Sequence, residues 1–416
     1  MKTRSRALVG LAALGLAVSL AACSTPKDEP AGSSTDSAAA IDSSTPITLT
    51  VWESLNGPDK FIEEAGAAYT DLHPNITIEF QNVEVGDSPS QIALDGPAGT
   101  GPDVFAVPHD NLGALISAGH ILDAEDHAAA IEENVVDVAI NGATYDGALW
   151  GYPMAVETYA LYYNKALVET PPTTWAELTT WATEFNAANQ GKYGFIMDVG
   201  NAYYTIIFTA QPGNMLFGDD GTDAATPNLA TDASVKGMGE FAKLRSALDV
   251  AAADLATATD DGLFAAGNAA MYISGPWNVA NFTDQGVDFG VTTLPALDGQ
   301  SEPASSFAGV RLMAVSAYSE HPAEAADFAE FLTTPEMQQL RVDLTGALAA
   351  SSSDITYEND AAQGFIDQME TSFPMPSIPE MSKFWDAMNA ASANIWNGAD
   401  PKTELDAAQA AVLAES

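Results

Sequence analysis

The chain has 416 residues, of which 47% are hydrophobic, and its formal net charge at pH 7 is −43. This length and apolar content predict a sizeable core and more than one domain or lobe. With 14 Lys and Arg residues against 57 Asp and Glu residues, a nucleic-acid partner is excluded, because phosphate binding needs clustered cations. The single cysteine excludes an intramolecular disulfide.

The N-terminus is typical of an export signal that ends at a lipidation site. Three basic residues precede an apolar stretch over 7–20, which is too short to span a bilayer, and Leu-Ala-Ala-Cys closes the stretch at Cys23. This run resembles a bacterial lipobox. The resemblance implies that 1–22 is a signal peptide, that Cys23 carries a lipid and that the protein is held at the outer face of the cell membrane. The alternative is a plain signal with a chance cysteine. Residues 23–45 lack large apolar side chains and are predicted to form a disordered tether.

Beyond the tether, strand and helix patterns alternate, which predicts an α/β fold. Residues 47–52 alternate like a strand, residues 61–72 have helical spacing, and residues 76–80 form a second strand pattern. Such a βαβ unit implies a parallel sheet with helices packed against it. The continuous apolar run 104–107 predicts a buried strand. Ligands of such sheets bind beyond the carboxyl ends of strands, so the loops after Trp52 and Val107 are the first candidates for a site.

Three further helices are predicted from apolar spacing. They cover 175–188, 235–248 and 323–333, and Pro322 is suited to the start of the last one.

No catalytic or metal-binding motif is present in the sequence. The five His residues do not form H-E-x-x-H, and neither a G-x-S-x-G elbow nor a Walker loop occurs. Among 57 acidic residues some pair of carboxylates can always be found, so a glycosidase mechanism has no specific support and stays open. The sequence therefore predicts no catalytic residue, no metal and no cofactor.

Three segments combine aromatic residues with proline and an isolated carboxylate. They are 150–159, 275–277 and 375–385. Such mixtures suit neutral sugars, because aromatic rings cover the apolar faces of a pyranose and carboxylates accept its hydroxyls. Each aromatic contact contributes ~0.5–1.5 kcal/mol, and each hydrogen bond to a charged group contributes ~1.5–3 kcal/mol. A few of each reach the roughly −8 kcal/mol of a micromolar site.

These segments belong to a series of motifs that runs through most of the chain. In order, they are GTGPDVFAVPHDNLG, YPMAVETYALYYNK with PPTTWAEL, MYISGPW, FGVTTLP and MPSIPEMSKFW. The series resembles the maltose/maltodextrin-binding proteins, the solute receptors of ABC sugar importers.

The resemblance implies a two-lobe periplasmic-binding-protein-like fold (type II-like) with the ligand cleft between the lobes. One lobe comprises 46–155 plus 309–355, and the other comprises 160–305 plus 356–416. The crossovers are expected near 155–159, 307–310 and 353–360.

The resemblance also implies a set of sugar-binding residues. Asp110 and Glu157 stand where the family has carboxylates that accept sugar hydroxyls. The family's stacking aromatics and one lining residue correspond to Tyr203, Trp277, Trp385 and Met375. From spacing alone, Trp385 shares a helix face with core-type residues, and Asp110 is also suited to capping a helix.

Several positions depart from the family pattern. Asn111 and Asn201 replace an Arg and a Glu, and Asp59 and Lys60 align ambiguously with an Asp-Lys pair. Further replacements are Val107, Asp386 and Asn389. Asn111, Asn201, Asp59 and Lys60 are nevertheless candidate sugar contacts. The departures bear on which saccharide and chain length are bound, since the pocket remains polar.

Taken together, the sequence predicts a lipid-anchored, monomeric solute-binding protein. It is expected to capture maltodextrin-type or related oligosaccharides, to close its lobes around them without breaking bonds, and to deliver them to an ABC permease. A surface-anchored carbohydrate-active enzyme and a lectin-like adhesion module are the alternatives.

Overall fold

The computed structural model describes residues 45–414 except Pro212, Asp219, Asp220 and Asn359. The predicted signal peptide over 1–22, the lipidation site Cys23 and the tether up to residue 44 lie outside the described residues. In the part that is described, no helix combines the length and apolar character that a membrane span requires.

Strands and helices alternate through the described residues. The strands are β1 (Ile47–Glu53), β2 (Ile76–Asn82), β3 (Val104–Pro108), β4 (Thr144–Tyr145), β5 (Ala148–Leu149), β6 (Tyr152–Glu157), β7 (Ala160–Asn164), β8 (Met271–Ser274), β9 (Phe289–Thr292), β10 (Phe307–Val315), β11 (Leu348–Ala349) and β12 (Phe373–Pro374). The α-helices are α1 (Pro58–Leu72), α2 (Ser88–Ala98), α3 (Leu112–Ala118), α4 (Ala128–Asn134), α5 (Asp137–Ala143), α6 (Trp175–Ala188), α7 (Ala202–Thr205), α8 (Asp232–Lys243), α9 (Thr257–Ala265), α10 (Val279–Asp284), α11 (Pro322–Phe331), α12 (Pro335–Thr345), α13 (Ala361–Met369), α14 (Met381–Trp396) and α15 (Pro401–Val412). The predicted α/β class is confirmed.

The larger sheet has the strand order β11-β6-β10-β3-β1-β2, and β12 pairs with β10. β1 runs parallel to β2 and to β3, as the βαβ prediction requires. The sheet is nevertheless mixed, because β10 is antiparallel to both β3 and β6. A smaller antiparallel sheet has the order β8-β7-β9.

Two hydrophobic cores are built on these sheets. The first core takes its buried residues from 47–156 and 310–337, together with Ala350. The second core takes them from 159–307 and 361–412, together with Leu348. The chain therefore passes between the cores at 156–159, at 307–310 and after β11.

Local signals explain where the predicted helices begin and end. Helix α6 begins at the predicted residue because Thr174 and Glu177 form a capping box, with the Glu177 N–H donating to the Thr174 hydroxyl at 3.2 Å. Helix α8 ends at Lys243, five residues before the predicted end, and a 3₁₀ turn follows over 244–246. Leu244 in that turn and Ala247 directly after it are still buried, so the apolar spacing extends beyond the α-helix itself.

Candidate functional site

A cavity of about 640 Å³ lies at the carboxyl ends of β1, β2 and β3. Its lining comes from segments that belong to both cores. Its volume falls within the roughly 300–1,000 Å³ that is typical of small-molecule sites. The parallel arrangement explains the location, because the loops that follow these strands all leave the sheet at the same edge.

Asp110 lies in the turn that follows β3, and its carboxylate has one free oxygen. Its Oδ2 accepts hydrogen bonds from Trp385 Nε1 at 3.1 Å and from Asn111 Nδ2 at 3.2 Å. Its Oδ1 is buried and has no hydrogen-bond partner among the described residues. The side chain is only 4% exposed, and burial raises the pKa of Asp110 to about 6. A buried acceptor without a partner is costly, so this oxygen is suited to a hydroxyl donor on a ligand.

His109 fixes the position of the Asp110 turn. Its Nδ1 accepts the Val310 N–H at 3.1 Å, and its Nε2 lies 3.1 Å from the Met375 carbonyl oxygen, to which it donates. Burial lowers the pKa of His109 to about 4, so the ring is neutral and carries its proton on Nε2. The ring thereby connects the turn after β3 to strand β10 and to the segment after β12.

Three buried charged residues, Glu53, Arg311 and Arg341, form a network with the partly buried Glu157. Arg311 pairs with Glu53 through Nε at 3.1 Å and through Nη2, and its Nη1 lies 3.8 Å from Glu157 Oε1. Arg341 Nη1 lies 3.5 Å from Glu53 Oε2. Burial alone would raise the pKa of Glu53, but the two guanidinium groups outweigh it and the pKa is lowered. For Glu157 burial dominates, and its pKa is raised although Arg311 and Arg341 oppose the rise.

The opposite wall is aromatic and belongs to the second core. The Tyr203 ring stacks on Phe307 with centroids 6.0 Å apart and an interplanar angle of 27°, and it lies 6.2 Å from the Trp277 ring. Phe307 in turn meets Trp385 edge to face at 5.8 Å. A Cβ at Gly275 would lie 2.0 Å from the Trp277 ring, so only glycine permits this position of the indole. Tyr203, Trp277 and Trp385 thereby give the cavity an aromatic lining in addition to its carboxylates.

Two asparagines of the cavity hold the segment that carries Tyr203. Asn201 caps helix α7, and its Oδ1 accepts the Tyr203 N–H at 3.0 Å. Asn389 Oδ1 accepts the Ala202 N–H at 2.7 Å. These amides therefore bind the backbone of α7 as well as lining the cavity.

Asp261 provides a similar support next to Trp277. It accepts hydrogen bonds from the Tyr272 hydroxyl at 2.8 Å and from Asn278 Nδ2 at 2.6 Å. Burial raises the pKa of Asp261 to about 6. Because Asn278 directly follows Trp277, this carboxylate fixes the turn that presents the indole.

Eight of the ten candidate contacts from the sequence line the cavity. They are Asp110, Asn111, Glu157, Asn201, Tyr203, Trp277, Met375 and Trp385. Asp59 and Lys60 are not part of the lining: Asp59 Oδ1 accepts the Gly57 N–H at 2.8 Å at the start of α1, and Lys60 is exposed.

The sequence allows a core position for Trp385 and a helix-capping role for Asp110, and the structure bears on both alternatives. Trp385 packs against the second core, yet its indole N–H points to Asp110. Helix α3 begins without a side-chain cap, so Asp110 is not its capping residue.

Several lining residues are not predicted from the sequence. They are Glu84, Thr257, Asp261 and Asn278. Glu84 follows β2 in the same way that Asp110 follows β3, so the strand-end rule could have found it. Asp261 lies within α9, where no local pattern marks it. Among the described residues, His, Cys, Asp and Glu nowhere form a group of three or more that could hold a metal ion.

Comparison with known proteins agrees with this architecture. The chain is 31% identical to the galactooligosaccharide-binding protein of Bacillus subtilis, with 98% of this chain and 96% of that protein covered. It is 29% identical to a maltooligosaccharide ABC transporter solute-binding lipoprotein of Streptococcus pneumoniae, with 92% and 90% covered. A crystal structure of a cyclo/maltodextrin-binding protein complexed with maltotetraose matches with a TM-score of 0.71 and 32% identity, over 88% of this chain and 96% of that one.

These relatives confirm the resemblance to maltose/maltodextrin-binding proteins and the two-lobe α/β fold. The family model described as bacterial extracellular solute-binding protein matches residues 64–362. The chain therefore belongs to the bacterial extracellular solute-binding protein family.

Proposed function

We propose that this protein captures an oligosaccharide of the maltodextrin type in its cleft and delivers it to an ABC permease. The observation that carries the proposal is the pairing of the unpartnered Asp110 oxygen with an aromatic wall across the same cavity. The names of the relatives support the ligand class, since they specify galactooligosaccharide and maltooligosaccharide binding.

Binding uses the two walls differently. Sugar hydroxyls donate to Asp110 and Glu157, while the apolar faces of the rings lie on Tyr203, Trp277 and Trp385. Two or three stacking contacts at ~0.5–1.5 kcal/mol each and two charge-assisted hydrogen bonds at ~1.5–3 kcal/mol each suffice for a micromolar site at roughly −8 kcal/mol.

The two lobes close around the ligand by hinge motion. We assign 46–155 plus 309–355 to one lobe and 160–305 plus 356–416 to the other, because the buried residues of the two cores divide close to these positions. Glu157 ends β6 and Arg311 lies in β10, next to two of the crossings. A ligand that contacts Glu157 therefore acts directly on the hinge.

The protein acts as an exported monomer that is anchored through a lipid on Cys23 and breaks no bond in its ligand. The lipobox-like run that ends at Cys23 supports the anchor, and the Streptococcus relative is named a lipoprotein. A tether of about twenty residues keeps the receptor at high effective concentration near the permease.

A thermal-shift and calorimetric titration tests the proposal. The purified mature protein is mixed with maltose, maltotriose, maltotetraose and a galactotriose, and stabilisation should follow RT ln(1 + [L]/Kd). Binding of the galactotriose alone would contradict the maltodextrin assignment, and binding of none would contradict the sugar assignment. Cleaved products on chromatography after prolonged incubation would show an enzyme instead.

A further inference from the structure

The charges that line the cavity are unbalanced. Four carboxylates line it, those of Glu84, Asp110, Glu157 and Asp261, against a single guanidinium, that of Arg311, among the described residues. An anionic ligand loses its hydration when it enters this cavity. Its affinity therefore depends on whether Arg311 is available to pair with it.

Arg311 is already engaged by the protein. Its side chain is 5% exposed, its Nε and Nη2 both donate to Glu53, and Nη2 also donates to Ser54 Oγ at 3.0 Å. Its remaining nitrogen, Nη1, is directed to Glu157 at 3.8 Å. Glu53 is fully buried and is not part of the lining, and it also pairs with Arg341. Together with Glu157, Glu53 balances the two guanidinium groups, so Arg311 has no uncompensated charge to offer a ligand.

Within the described residues, Asp110 and Asp261 have no hydrogen-bonded cation that could be released to a ligand. The partners of Asp110 are Trp385 and Asn111, and those of Asp261 are Tyr272 and Asn278. Hydroxyl groups can donate to these oxygens, whereas a carboxylate on the ligand would only repel them. Repulsion at a few ångströms in a partly desolvated site amounts to a few kcal/mol.

We propose that the cleft selects saccharides by charge: it accepts neutral oligosaccharides and rejects those that carry a carboxylate, because Glu53 masks Arg311 while Glu84, Asp110 and Asp261 keep the cavity anionic. This inference rests on the proposed function and names the substrate class more narrowly. It also makes Glu53 a specificity-determining residue that does not touch the ligand.

The test uses three versions of one trisaccharide near neutral pH. They are maltotriose, maltotriose with its non-reducing terminal C6 oxidised to a carboxylate, and the primary amide of that uronate. The amide preserves the shape of the carboxylate without its charge. We expect the uronate to bind about tenfold more weakly than its amide, or worse, and the ratio to shrink as salt is added.

Two variants locate the effect, and a third controls for net charge. Glu84→Gln at the rim should reduce the amide-to-uronate affinity ratio by about threefold, and Glu53→Gln should reduce it further by unmasking Arg311. Asp87→Asn removes the same charge from the same loop but does not line the cavity, so it should leave the ratio unchanged. If circular dichroism shows that Glu53→Gln does not fold, the affinity ratio of Glu84→Gln alone tests the charge selection.

The outcomes separate this inference from the proposed function. Equal affinity for the uronate and its amide, with maltotriose bound, would overturn the charge selection and leave the sugar receptor intact. A ratio that changes equally in Glu84→Gln and Asp87→Asn would also overturn it, because the effect would then belong to the acidity of the whole protein. If neither maltotriose nor the amide binds, it is the proposed function that fails.

Discussion

Replacing Asp110 by Asn should stabilise the ligand-free protein. The pKa of this carboxyl rises from 3.8 to about 6 on folding, mainly through burial. At neutral pH that rise corresponds to a cost of about 3 kcal/mol in the free energy of unfolding. Because the folded-state pKa is the higher one, the stability is complete below pH 3.8 and is lost as the pH rises to about 6. Asn cannot ionise, and its carbonyl can still accept the Trp385 N–H, so Asp110→Asn avoids the cost.

The same substitution should weaken sugar binding. A charge-assisted hydrogen bond contributes ~1.5–3 kcal/mol and a neutral one ~0.5–1.5 kcal/mol, so the affinity should fall by roughly five- to tenfold. A residue with a purely structural role would not change stability and affinity in opposite directions. Such opposition is instead typical of a functional group that is held at a cost to folding.

Urea unfolding at about pH 4 and about pH 7, together with calorimetric titration of maltotriose, measures both effects. The stability difference between Asp110→Asn and the wild type should be small at the lower pH and reach up to about 3 kcal/mol at the higher one. Asp87→Asn is the control, because it removes an exposed carboxylate without relieving burial. A destabilised Asp110→Asn at neutral pH, or a difference that does not change with pH, would refute this account of the site.

Three more predictions follow from other parts of the chain. Trp277→Ala should weaken sugar binding by about two- to tenfold with little loss of stability. Trp181→Ala, which removes an indole stacked on Phe185 at 5.0 Å outside the cavity, should leave the calorimetric affinity unchanged. Asp260→Asn should stabilise the protein by up to about 4 kcal/mol at neutral pH. Neither oxygen of this fully buried side chain has a hydrogen-bond partner among the described residues, and burial and two neighbouring aspartates raise its pKa to about 8. In urea unfolding the gain should grow as the pH rises to about 8 and then level off; a gain that is constant across this range would contradict the buried-acid explanation. Cys23→Ser should release the protein from membranes into the medium, as fractionation and immunoblotting would show, with unchanged sugar affinity; retention on the membrane would argue against the lipid anchor.

The N-terminal part of the fold could be predicted closely from the sequence. The strand predicted over 47–52 is β1, and the helix predicted over 61–72 begins three residues earlier, at Pro58. Period-two and period-3.6 patterns are strong here, because each element buries one face against the same sheet. The antiparallel position of β10 could not be predicted, because it depends on where the chain returns from the second core.

The candidate site also contains residues that the sequence predicts and residues that it does not. Asp110 and Trp277 can be predicted as lining residues because each lies in a continuous sequence motif. Asp261 was missed because its place beside Trp277 results from the packing of α9 against β8. Position along the chain predicts Asp59 and Lys60 as contacts, but the turn at Asn56 and Gly57 starts α1 at Pro58, and the carboxylate of Asp59 accepts a hydrogen bond within that turn.

Charged hydroxyl acceptors and aromatic rings are distributed unequally between the two walls of the cleft. Asn201 and Asn389 are two of the positions that depart from the family pattern, and both amides hold the backbone of α7. The charged acceptors that can bind hydroxyls therefore lie mainly on the first-core wall, and the second-core wall contributes chiefly ring surface. Ring stacking tolerates different linkages and chain lengths, whereas the Asp110 oxygen accepts only a donor at one position. We therefore expect the identity of the sugar to be read by the Asp110 carboxylate and the length of its chain to be read along Tyr203, Trp277 and Trp385.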